Sequence, residues 1–188
     1  MVGHDGRVDA IGVLLAAGAG SRYGSPKALA HEGAWLRQAV AALSDGGCAE
    51  VLVVLGASAE RARRLVPEGA TVVLAADWAD GMSASLRAGL KAAQGTAAER
   101  AVLHLVDTPD VGADVVARVL AAGAPLARAT YGGRGGHPVL LGREHWTAVL
   151  VAATGDHGAR DFLRGRDDVL AVECGDLATG ADIDTPDA

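Results

Sequence analysis

Short apolar runs that alternate with amphipathic stretches of helical length constrain this chain more than any single residue does. Residues 8–15, 51–55, 71–75 and 101–106 are rich in Val and Leu. Runs that are apolar at nearly every position suit strands covered on both faces, as in a parallel sheet. Between them, residues 35–43, 59–66, 83–93 and 111–122 place apolar side chains three and four apart, the spacing of a helix with one buried face. Strand, helix and strand in repetition predict right-handed crossovers and an α/β layered fold. After Leu126 the rhythm changes. Residues 127–131 and 138–141 read as two short strands around a glycine-rich turn, 132–136, followed by helical stretches at 143–153 and 159–165 and a strand near 169–173. The expectation is an antiparallel piece added to a parallel sheet, with a ligand at the carboxyl ends of the strands.

The chain has 188 residues, the size of one ordinary domain, and half of them are hydrophobic although aromatics supply only 3%. Aliphatic residues and alanine must therefore build the core. At 21% charged residues the composition is not that of a disordered chain. A net charge of -6 argues against a nucleic-acid polymer as partner, though a few local cations and backbone amides still suffice for one mononucleotide. Cys48 and Cys174 are too few for a disulfide framework or a zinc ribbon and read as reduced thiols. The apolar stretch 11–20 follows Asp5 and Asp9, is too short for a bilayer and ends in glycines, so it reads as neither a signal peptide nor an anchor. The expected location is the cytoplasm, with no membrane partner.

The loop after the first strand carries the clearest chemistry. Gly18, Gly20 and Gly24 allow close approach and positive φ, so that successive N–H groups can converge on a ligand. Arg22 as a fork and Lys27 as a point charge complete an anion cradle, and a triphosphate is the obvious anion. The spacing fits neither a Walker A loop nor the dinucleotide fingerprint. The third glycine comes one residue late for the latter, and Ser25-Pro26-Lys27 precedes any helix.

Leu15, Ala16, Ala17, Gly18, Gly20, Ser21, Arg22 and Lys27, in the pattern Leu-Ala-Ala-Gly-x-Gly-x-Arg-x-Gly-x-x-Lys, resemble the signature loop of the MobA-like nucleotidyltransferases. Within that superfamily the chain is most similar to the molybdenum cofactor cytidylyltransferases, over residues 12–185. The resemblance implies a three-layer Rossmann-like nucleotidyltransferase fold, with a mostly parallel sheet and an antiparallel addition. A single domain over 1–188 would have a nucleotide-binding part at about 8–110 and an acceptor-binding part at about 111–188. It implies Mg²⁺-dependent transfer of CMP from CTP to molybdopterin, with pyrophosphate leaving and a molybdenum enzyme as a possible partner. Arg22, Lys27 and Asp107 would be the catalytic residues.

Asp107 ends a buried run, where an emerging strand can hold Mg²⁺ against phosphate oxygens, and it matches the first Asp of the family's Asp-x-Pro motif. Asp110 is expected to cap the next helix. Asp182 and Asp184 alternate with Ile183, which on a strand turns both acids to one face. The resemblance makes Asp184 the second metal ligand and Asp182 an orienting, acceptor-side residue. Gly81, Met82, Ser83 and Ser85 lie in a Trp-x-x-Gly-Met-x-x-Ser-like stretch that lines the nucleotide pocket of cytidylyltransferases, and either serine is also a candidate helix cap. This stretch and Leu-Ala-Ala-Gly, where guanylyltransferases have Leu-Ala-Gly-Gly, point to CTP. His137 and Arg160 resemble acceptor-side residues, whereas His104, inside an apolar run, is expected to be packed. Two alternatives stay open: a guanylyl- or other nucleotidyltransferase acting on another small phosphate acceptor, and a non-catalytic cofactor carrier for a molybdenum enzyme.

Overall fold

The computed structural model describes residues 10–185. Val8 and Asp9, expected to open the first strand, and Pro186 lie outside the described residues. Among those described, the strands β1 (Ala10–Leu15), β2 (Glu50–Leu55), β3 (Thr71–Leu74), β4 (Arg100–Leu105), β5 (Leu126–Tyr131), β6 (Arg134–Gly142) and β7 (Leu170–Glu173) form one sheet. Their order is β3-β2-β1-β4-β6-β5-β7. Every neighbouring pair is parallel except those of β6, which runs antiparallel to both β4 and β5. This is the expected mostly parallel sheet, and the addition amounts to one reversed strand.

The helices are α1 (Ala34–Asp45), α2 (Ala59–Arg63), α3 (Met82–Gln94), α4 (Ala113–Ala121), α5 (Arg143–Ala152) and α6 (Arg160–Leu163). Leu14, Val53 and Val102 pack with α1, α2 and α4 on one face of the sheet. Their neighbours Val13, Val54 and Leu103 pack with α3, α5 and α6 on the other. Covering both faces is why the central strands read as unbroken apolar runs. Gly89 lets α3 settle onto the sheet, because a Cβ there would lie 2.5 Å from Val13 Cγ1. No helix among the described residues is long and apolar enough to cross a membrane.

Several boundaries move for physical reasons. α2 stops at Arg63 and loosens into three-residue turns before Pro67, which cannot continue a helix. The glycine run is a turn only at Gly132 and Gly133, both at positive φ, and β6 begins at Arg134 rather than Pro138. Asp110 does not cap α4; its carboxylate accepts the N–H and hydroxyl of Thr179, both at 2.6 Å. Neither serine caps α3, which Gly81 precedes without a side-chain cap. Residues 182–184 form no strand, so the two-acids-on-one-face picture does not describe them.

Glu173 and His104 are among the groups that tie the fold to pH. Glu173 accepts hydrogen bonds from Gly132 N at 2.8 Å, Thr130 Oγ1 at 2.9 Å, Gly175 N at 3.0 Å and Gly133 N at 3.2 Å, fastening β7 to the β5–β6 turn. These bonds, that from Gly132 first, hold its carboxyl at about 2. His104 is fully buried, neither ring nitrogen has a hydrogen-bond partner among the described residues, and burial pushes its pKa to about 3. In both cases the folded state resists a proton that the unfolded chain accepts, so stability falls with pH. The fall runs from the ordinary 6.5 toward about 3 for His104 and from 4.5 toward about 2 for Glu173. Urea midpoints measured across pH should show His104→Leu flattening the first window and raising neutral-pH stability by about 1–3 kcal/mol, the cost of a buried unpaired donor. Glu173→Gln should lower neutral-pH stability and flatten the second window. Unchanged slopes in both variants would contradict this assignment.

Candidate active site

The loop that follows β1 is tethered at its base and open at its tip. Ala16 N donates to Val54 O, Val106 N to Leu15 O and Ala57 N to Ala17 O, so Leu15, Ala16 and Ala17 are fixed by the strands on either side. Beyond them, the N–H groups of Gly18, Ala19, Gly20, Ser21 and Arg22 donate to no described residue. Gly20 sits at φ 61, and a Cβ there would run into the carbonyl of Ser25. Gly24 N closes the turn onto Gly20 O at 2.8 Å. Tyr23 stacks obliquely on Trp35 of α1 with ring centroids 5.4 Å apart, which anchors the outer side of the loop. A 3-10 segment, Lys27–Gly33, then passes into α1 through His31 and Glu32, both left-handed.

Lys27 lies between two carboxylates. Its Nζ donates to Asp107 Oδ2 at 2.8 Å and to Asp184 Oδ1 at 3.0 Å, while Arg22 Nη1 donates to Asp184 Oδ2 at 3.0 Å. Burial pulls the Lys27 ammonium down, but the hydrogen bonds and charges of Asp107 and Asp184 outweigh it and hold the group above its ordinary value. Lys27 in turn keeps the Asp184 carboxyl below its ordinary value. The other oxygen of Asp107, Oδ1, is buried and takes no hydrogen bond from any described residue.

Long-range tethers carry Asp184 to this place. After β7 the chain is pinned by a two-pronged Arg118–Asp176 pair, then by Asp110 holding Thr179, then by Ile183 N donating to Asp107 O at 2.9 Å. Asp182 thereby lies exposed to solvent beside the same cluster, where partial loss of water around its carboxyl, reinforced by the charges of Asp107 and Asp184, raises its pKa.

These elements surround a cavity of about 410 Å³ at the carboxyl ends of β1 and β4. Leu15, Ala16, Ala17, Gly18, Gly20, Ser21, Arg22, Lys27, Gly81, Met82, Ser85, Asp107 and Asp184 line it. Ser83 does not: it is fully buried inside α3, where its Oγ accepts Gly158 N at 3.2 Å. Sequence reasoning left out Tyr23, Trp78 and Asp156, which also line the cavity. Trp78 and Asp156 stand in segments that already carried a signal, the Trp-x-x-Gly-Met stretch and an acid placed between Gly155 and the 157–158 turn. Tyr23 occupies an unspecified position of the loop pattern.

His137, Arg160 and Asp182 lie beside the cavity rather than in its lining. His137 is half-buried on β6, and burial together with the charges of Arg128 and Arg160 brings its pKa to about 4. Asp107 and Asp184 are the candidate metal ligands. An all-oxygen pair with one orphaned, inward carboxylate oxygen suits a hard divalent cation that fills its shell with phosphate and water. No group of three or more His, Cys, Asp or Glu able to hold a metal occurs among the described residues, so the substrate's oxygens would be needed to complete the site.

The chain matches the model of the MobA-like NTP transferase domain over residues 12–170. It is 38% identical to the nicotine blue oxidoreductase of Paenarthrobacter nicotinovorans over 188 aligned positions, 93% of this chain and 91% of that protein. Among solved structures it resembles a homologue of Mycobacterium tuberculosis Rv0371c from Mycobacterium sp. strain JC1, with TM-score 0.80, 30% identity, and 95% of this chain and 91% of that one covered. A manganese complex of Rv0371c from Mycobacterium tuberculosis H37Rv superposes with TM-score 0.76 at 25% identity, covering 93% and 94% of the two chains. A nucleotidyl transferase from Methanothermobacter thermautotroptrophicus has the same fold, with TM-score 0.77 at 20% identity over 94% and 92%. By the extent of the family match and by its fold, this chain belongs to the MobA-like NTP transferase domain family.

Proposed function

We propose that this nucleotidyltransferase transfers a nucleoside monophosphate to a terminal phosphate, with CTP as donor, molybdopterin as acceptor and Mg²⁺ at Asp107 and Asp184. The observation that carries this reading is the Lys27 ammonium held between Asp107 and Asp184 beside a row of loop amides with no internal partner. Such a row takes up phosphate oxygens, and Lys27 and Arg22 add the charge that a triphosphate needs. An acceptor phosphate oxygen bonds to the α-phosphorus, the bond from that phosphorus to the bridging oxygen of the β-phosphate breaks, and pyrophosphate leaves. The chain's part is to hold the reacting groups in line and to offset the charge that builds up on the leaving side. Magnesium, when bound, would supply further neutralisation of the phosphate oxygens. The manganese complex of the mycobacterial relative supports a divalent metal on this scaffold. The preference for CTP rests on the Leu-Ala-Ala-Gly form of the loop and on Gly81 and Met82 in the cavity wall.

A second reading is favoured by the 38% identity to an oxidoreductase. On this chain it would place a dinucleotide reductant in the same cavity, its pyrophosphate on the same loop. Cys48 and Cys174 are both buried, so this second reading draws its reducing equivalents from the bound reductant rather than from a protein thiol.

Calorimetric titrations with CTP, GTP and ATP, each with Mg²⁺ and again with EDTA, separate the readings. CTP is expected to bind best and only with metal; a preference for GTP or ATP would discard the choice of nucleotide and keep the chemistry. Tight metal-independent binding of a reduced nicotinamide dinucleotide, with no triphosphate binding, would overturn the transferase reading. Asp107→Asn should lower nucleotidyl transfer by on the order of a hundredfold or more with the fold intact. Gly20→Ala, which forces a side chain into a left-handed position against Ser25, should weaken nucleotide binding roughly tenfold.

A further inference from the structure

One charged group of the cavity wall takes no part in the phosphate chemistry. Asp156 lies in the short 3-10 turn Gly155–His157, between α5 and α6, and lines the cavity with Trp78, Gly81 and Met82. Its segment is fastened to α3 on both sides. Arg87 Nη1 donates to Ala153 O at 3.0 Å, and Gly158 N donates to the buried Ser83 Oγ at 3.2 Å. Between these tethers the turn rests on bare backbone: a Cβ on Gly81 would run into Asp156 Oδ1 and would lie 2.7 Å from the carbonyl oxygen of Gly155. Gly81 is thus the seat of this carboxylate, and the start of α3 fixes where it stands.

No described residue answers the charge. Asp161, five residues on, pairs with His157 and Arg164, whereas Asp156 takes no hydrogen bond and no ion pair from any described residue. Nor does it join a group of three metal-ligating side chains among the described residues. The cavity is therefore uneven in charge. At the end of β4, Lys27 and Arg22 match Asp107 and Asp184. Beside Gly81 stand Trp78, Met82 and one unmatched carboxylate, which can only accept hydrogen bonds. Phosphate is repelled there and favoured at the glycine loop, so this wall suits a part of the ligand that offers O–H or N–H groups.

We propose that Asp156 positions the nucleoside of the donor triphosphate, its carboxylate accepting hydrogen bonds from the ribose hydroxyls or the exocyclic amino group of the base. Held from this end by Asp156 and from the other by the glycine loop, the donor lies stretched across the cavity with its α-phosphorus between the two. The assignment rests on the transferase reading and adds to it a residue that selects among triphosphates.

Calorimetric titrations of the full-length protein with CTP, deoxy-CTP, UTP and inorganic tripolyphosphate, all with Mg²⁺, test this. Asp156→Ala should weaken CTP binding about tenfold, the loss of a hydrogen bond to a charged group, and leave tripolyphosphate, which has no such donor, unchanged. Asp156→Asn should fall between, because its amide keeps one acceptor oxygen. The analogues locate the donor group. A loss that vanishes with deoxy-CTP marks the hydroxyl it lacks, one that vanishes with UTP marks the amino group of cytosine, and equal losses on all three mark the hydroxyl they share. CTP affinity unchanged in Asp156→Ala overturns the assignment. An equal loss for tripolyphosphate overturns it too, since the turn would then only shape the phosphate loop. Should Asp156→Ala fail to fold, Asp156→Asn decides by the same comparison. Wild type that binds neither CTP nor tripolyphosphate defeats the transferase reading, and the assignment with it; that failure shows in wild type, whereas failure of the assignment alone shows only in the variants.

Discussion

The contact on which the site depends is the one ammonium of Lys27 shared by Asp107 and Asp184. It joins three places far apart in the chain: the loop after the first strand, the end of β4 and the tail that follows β7. Each carboxylate would otherwise repel the other, and Asp182 adds a third acid nearby. The backbone bond from Ile183 to Asp107 and the tethers at Asp176 and Thr179 bring the tail across, but the ammonium is what makes the meeting of acids tolerable. The same arrangement is poised for chemistry, because a divalent cation bound to these acids would release Lys27 toward phosphate.

The sheet serves this contact. β1 and β4 are adjacent and parallel, so their carboxyl ends deliver the glycine loop and Asp107 to the same side. α3, drawn close by Gly89, sets Gly81 and Met82 into the opposite wall. The single reversed strand, β6, carries His137 and the backbone on which Arg128 rests. These walls meet around the glycine loop and the two acids.

How far this was legible in the sequence follows from how local each feature is. The buried strands stood out because two covered faces demand apolar residues at every position, and the loop stood out because its glycines and cations are contiguous. The misread features are all settled by distant partners. Asp110 looked like a helix cap because its real partner, Thr179, lies 69 positions away. Ser83 looked pocket-facing, yet its hydroxyl is taken by Gly158, 75 positions on. Residues 135 and 136 looked like turn glycines, but they are strand positions kept bare for the side chains of Arg128 and Tyr131 lying across them.

The central claim is that Lys27 holds the place between the two acids that a metal would take. Binding of Mn²⁺ without nucleotide, read by electron paramagnetic resonance in wild type and in Lys27→Ala, tests it most directly. With the ammonium gone the acids should bind free Mn²⁺ about tenfold more tightly or better, while the Mn²⁺-CTP complex binds more weakly for want of a phosphate partner. Free Mn²⁺ binding that is unchanged or weaker in the variant would contradict the account.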